Sequence, residues 1–201
     1  MTDPILLPSR PGVKTDKVRM VDYGGQLKPT LGGPVQNLYR LGTRHALDIT
    51  LPVMPAEPTG RIWASRLRQA KLYGAILPFT QDGFVIGFPG SPSVNGGGQS
   101  GIQLVLKNFR PRYAVREGQA FSLVHAGVRY LHFAALPGIA DAAGNLSLTI
   151  FPMLRFLTTD GDTAEFGKPM LQGSLSGNEA SWDRLTTPLC DFGTISISED
   201  Y

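Results

Sequence analysis

The sequence predicts a mainly β protein: a barrel or sandwich of short antiparallel strands, with one inserted α-helix and an extended N-terminal arm. Three observations carry this. The 201 residues include 24 glycines and 16 prolines, about a fifth of the chain and without a period, so many turns punctuate it. Between the turns lie short apolar runs, several alternating with period two, as half-buried strands do. Only one segment carries a convincing helical period. Hydrophobic residues make up 42% of the chain, enough to build a core at this length.

Residues 1–34 hold five prolines and five glycines and no core pattern. They read as an extended arm lying on the body or on a neighbour, with a short strand at Lys17–Tyr23. Deleting 1–30 is expected to impair assembly more than folding. A β domain is expected over 35–175. Leu47 to Leu51 alternates as a strand, with Val35–Leu41 as a plausible partner. A helix follows over about 60–73: Trp63, Leu67 and Ala70 recur on one face, Thr59 is placed to cap the start and Gly74 the end.

Ile102–Leu106 reads as a strand. Phe121–Val124 and Val128–Ala134 read as a hairpin turning at Ala126-Gly127. In that register Phe121 faces His132, Leu123 faces Tyr130 and His125 faces Val128. Both hairpin faces are largely apolar, which implies burial on both sides, by a barrel interior and by either the helix or another subunit. Leu146–Ile150 alternates and Pro152 stops it. Met170–Leu175 is a last strand, and the tail 176–201 docks through Trp182, Leu185, Phe192 and Ile195.

Net charge is +3, with no block of like charges, so nucleic acid gains little support as a partner. The lone Cys190 forms no internal disulfide. No apolar run reaches membrane-spanning length and the start lacks signal-peptide character, so a protein made in a cytoplasm is the default. Gly96, Gly98 and Gly101 match G-x-G-x-x-G, but a strand rather than a helix follows them. No helix dipole can then meet a phosphate, and the loop reads as a mobile connector or contact loop.

Ser100 lacks the last glycine of a nucleophile elbow. His45, His125 and His132 sit in or beside strands, as structural histidines do. Asp160, Asp162 and Glu165 miss the EF-hand spacing and read as a solvated acidic turn. Phe109, Arg110, Arg112 and Tyr113 form a small basic-aromatic cluster, expected as a subunit contact or surface rim. No catalytic, cofactor-binding or metal residue is assigned.

The order of elements resembles a known family. The run Arg40-Leu41-Gly42-Thr43-Arg44 is followed by LDITLPVMP, a helix with WASRLRQA, and GGGQSGIQLVL. REGQAFSLVHAGVRYLH and ADAAGNLSLTIFPMLR come next. Over roughly residues 35–157 this resembles minor tail and distal tail proteins of long-tailed phages and related tail-like particles. The resemblance implies a structural virion protein, not an enzyme, made in a bacterial cytoplasm. It would assemble as a homo-oligomeric, often sixfold, ring at the tail tip, between tail tube and baseplate. Its partners would be copies of itself and other tail proteins. Two rival readings stand beside it: a carbohydrate- or receptor-binding module using Tyr39, Tyr113 and Tyr130, and a small β-barrel hydrolase using His125 or Asp141.

Overall fold

The computed structural model describes residues 3–200; the first two residues of the expected arm and the last of the expected tail lie outside it. Strands take 44% of the chain and helices 9%, so the protein is mainly β. Six strands, Gly90–Val94, Gly101–Phe109, Ala120–His125, Val128–Ala134, Leu146–Leu154 and Thr163–Glu165, close into an antiparallel barrel. Closure leaves the barrel no free edge. Leu104, Leu106, Phe121, Leu123, Leu148 and Ile150 are buried inside it. The Phe121 ring stacks on Phe166 with centroids 4.5 Å apart.

A second core lies under a six-stranded sheet. Its order is Ile5–Leu6, Ala75–Pro78, Met170–Leu175, Thr194–Ser198, Arg44–Thr50 and Thr15–Val21. The helix Arg61–Tyr73 buries Trp63, Leu67 and Ala70 against this sheet, the stripe its period predicts. The Gly74 N–H closes the helix on the Ala70 carbonyl. Thr59 is not the N-cap. A π-helical turn, Ala56–Gly60, leads directly into the helix, so Gly60 occupies that position and no side chain caps it.

The hairpin Ala120–Ala134 joins the two cores. Ala126 (φ 49°) and Gly127 (φ 81°) form a two-residue turn of the kind that keeps the strands twisted together. The register is as predicted: Phe121 opposite His132, Leu123 opposite Tyr130, His125 opposite Val128. Alternation sends Phe121 and Leu123 into the barrel. Ala120, Leu131 and Phe133 on the other face pack into the second core. No other subunit is needed to cover this hairpin. The chain's own second sheet does so, chiefly through Met170–Leu175.

The expected boundaries at 34/35 and 175/176 cut through hydrogen-bonded sheets. Ile5–Leu6 pairs in parallel with Ala75–Pro78, and Thr15–Val21 pairs with Arg44–Thr50, so the N-terminal segment supplies both edges of the second sheet. Leu7 is part of its core. Excising 1–30 therefore strikes the fold itself. The tail contributes a central strand, Thr194–Ser198, between Arg44–Thr50 and Met170–Leu175. Val35–Leu41 does not pair with Arg44–Thr50: Gln36–Leu38 pairs with Gly25–Leu27, in a hairpin joined to no other sheet.

Candidate assembly surface

The glycine loop is tied down rather than loose. Gln99 folds back over it, its amide donating to the carbonyls of Asn95, Gly96 and Val105 and its oxygen accepting the Val105 N–H. The Gly96 N–H donates to Asp160 at 2.8 Å, and the Gly98 N–H to the Thr158 carbonyl. Its amides thus serve the fold, and the strand Gly101–Phe109 follows it.

The acidic turn is pinned residue by residue, in three directions. Asp160 pairs with Lys107 at 2.7 Å, and this bond holds its carboxyl below the usual range. Asp162 meets His125 at 2.8 Å, and Glu165 holds Arg129 and accepts from the buried Ser122. Among the described residues no three His, Cys, Asp or Glu converge as metal ligands. Sequence could not reveal these pairings, because partners 36 to 53 residues apart meet only through strand register.

The histidines divide. His125 is partly exposed, stacked on Phe156 with centroids 4.4 Å apart. Its described partners are Asp162 and Phe156. His45 and His132 are buried at the seam between the cores, and burial pulls them down to about 4 and about 3. The His132 Nδ1–H donates to the Pro152 carbonyl at 2.9 Å.

Beside them is the group sequence reasoning missed, the Glu199 carboxylate. It accepts the N–H groups of His45 and Leu131 at 2.9 and 2.7 Å, and Arg155 Nη2 at 2.9 Å. Burial pushes its pKa up, against Arg155 and the two N–H groups. Glu199 is 2% exposed, which keeps solutes out, so this cluster clamps the two cores together.

Other expected surface groups are spent on packing. Phe109 is in the barrel core, stacked on Tyr113, whose hydroxyl donates to the Ile86 carbonyl. Asp141 closes its own turn on the N–H groups of Ala143 and Asn145, which lower its pKa, Asn145 most. Cys190 is buried and free. Of the three tyrosines proposed for sugar binding, only Tyr39 is fully exposed, at 80%.

The remaining feature is the hairpin. Every residue from Gly25 to Leu41 is exposed. Among them are Leu27, Leu31, Val35, Leu38, Tyr39 and Leu41, with Leu31 at the apex 99% exposed. Its root is built to hold it out. Asp22 accepts the Gly24 N–H at 2.8 Å and the Thr43 hydroxyl at 2.9 Å, and the Arg44 guanidinium sits 4.7 Å over the Tyr23 ring. A Cβ on Gly24 would lie 2.6 Å from the Leu38 carbonyl oxygen, so only glycine fits this close crossing. Between the hairpin root and the barrel runs a groove of about 520 Å³, lined by Gln26, Asn37, Tyr39, Ile102 and Phe151 among others.

No known protein-family model matches this chain, and no characterised protein matches it in sequence.

Proposed function

We propose that this is a structural protein of a phage tail tip, assembling as a homo-oligomeric, sixfold ring that joins tail tube to tip or baseplate. It acts by packing and interlocking, not by chemistry. The sequence resemblance supplies the family. The observation that carries the reading is the exposed hairpin Gly25–Leu41. An isolated two-stranded hairpin is marginal in water, and its six large apolar residues are 42% to 99% exposed. Such an element is stable and useful when a neighbouring subunit buries it. Head-to-tail contacts between a projection on one copy and a different surface on the next close into rings when the rotation between copies closes. Light scattering and electron microscopy of the purified chain test this. Rings of uniform size are expected, and a monomer at every concentration would overturn the reading.

A second reading, a carbohydrate- or receptor-binding module, draws on the groove at the hairpin root, where Tyr39 stands beside the amides of Gln26 and Asn37. Aromatic faces with nearby amides suit sugar rings. Binding on a glycan array that is lost in Tyr39→Ala would favour it.

A further inference from the structure

The edge of the second sheet carries a projection at one end and a hollow at the other. The projection is the exposed hairpin, which leaves the sheet after Val21 and returns at Arg44. The hollow lies toward the opposite end of the same strand pair. There the chain connecting the two sheet edges, residues 7–14, runs over the sheet and encloses about 310 Å³. Leu47, Ile49 and Leu77, all core residues, form its floor, and Val13 stands at its wall. The intervening strand, Thr15–Val21, is seven residues long, about 20 Å of extended chain, and the hairpin springs from its far end. A chain therefore presents knob and hollow at opposite ends of one edge.

The two surfaces match in size and charge. The apex offers Leu31, almost wholly exposed and set between Thr30 and Gly32, a knob small enough to enter a hollow of this volume. The segment 24–41 carries Lys28 and Arg40 and no acid. The mouth of the hollow carries Asp16 and Asp82 against one cation, Lys14. The geometry points to a second copy of this chain as the occupant of the hollow, its Leu31 entering beside Val13 and Pro78 above the buried floor and its Lys28 facing Asp16 and Asp82. This specifies the contact behind the assembly reading above and rests on that reading. Because the two surfaces differ, every copy both gives a knob and receives one, and the contact propagates around a closed assembly.

Cysteine trapping reads the contact. One full-length chain carries Leu31→Cys and another Val13→Cys; Cys190 is buried and stays out of the reaction. A disulfide needs Cα atoms within about 7 Å. Mild oxidation of the mixture is expected to give the mixed disulfide well above either self-linked product. Mainly self-linked Leu31→Cys dimers, or no disulfide, would overturn the docking. A second variant, Leu31→Asp, is expected to weaken self-association at least ~10-fold with its melting temperature unchanged, as loss of a central apolar anchor does. If wild type assembles and Leu31→Asp assembles equally well, the docking falls and the ring reading stands. If wild type never assembles, both fall.

Discussion

Two β-hairpins of this protein share local chemistry and meet opposite fates. Ala120–Ala134 has apolar residues on both faces, and each face finds a core: Phe121 and Leu123 in the barrel, Leu131 and Phe133 under the second sheet. Gly25–Leu38 also carries large apolar residues, yet it pairs only with itself and lies open along its whole length. Apolar content thus does not by itself say where a hairpin is buried. The two-faced hairpin, which alone would suggest a missing subunit, is covered within the chain. The hairpin that begins in the proline- and glycine-rich segment is the uncovered one.

The comparison can be broken most forcefully at the buried hairpin. Phe121→Ala removes a fully buried ring stacked on Phe166 and is expected to cost about 3–5 kcal/mol by urea denaturation. Leu131→Ala, on the other face, is expected to cost about 2–5 kcal/mol. A loss on only one face would mean the hairpin does not join two cores. Glu199→Ala strips Arg155 of its carboxylate at the seam and is expected to cost about 3–5 kcal/mol, again by denaturation.

Acid sharpens the same point. His45 and His132 have folded values of about 4 and about 3, pulled down by burial from 6.5. Below about 6.5 the unfolded chain binds protons that the folded chain refuses, so their contribution to stability is lost as pH falls. Glu199, raised from 4.5, acts in the opposite sense, because the folded chain takes up its proton first. The urea midpoint is expected to drop between pH 7 and pH 5, and to drop more steeply in Glu199→Gln, which lacks the opposing titration. A midpoint that rises on acidification would contradict the buried, neutral histidines.

The smallest effect on folding is expected at the open hairpin. Replacing 25–39 with a short glycine-serine turn should leave the monomer's stability within about 0.5 kcal/mol while abolishing assembly. Excising 1–30 instead should unfold the protein, since it removes Leu7 and the strand Thr15–Val21.

Much of the barrel was legible in the sequence. The Ala120–Ala134 register followed from its turn residues and alternation, and the helix from the spacing of Trp63, Leu67 and Ala70. Proline misled at two strands. Pro92 lies within Gly90–Val94, where two prolines, Pro89 and Pro92, argued against a ladder strand, and Pro152 lies within Leu146–Leu154, which was expected to end at it. Each sits where the pairing register shifts, so the missing N–H interrupts no regular ladder. The second sheet was hidden for another reason. Strands were expected at Lys17–Tyr23, Leu47–Leu51 and Met170–Leu175, but the pairing joins segments spread from residue 5 to residue 198, and the edge strand Thr15–Val21 is mostly exposed. Of the open hairpin, Gly25–Leu27 was expected within an arm and Val35–Leu41 as a strand beside Leu47–Leu51, so their mutual pairing was not foreseen. The Glu199 clamp left no signal, being assembled from partners 44 to 154 residues away.

Amide hydrogen exchange, followed across protein concentration, tests the contrast between the hairpins most directly. The Ala120–Ala134 amides should be protected equally in dilute and concentrated solution. The 25–38 amides should exchange freely when dilute and gain protection as concentration rises. Exchange at 25–38 that stays fast at every concentration, or is slow even in the dilute monomer, would contradict the claim that a neighbour covers this hairpin.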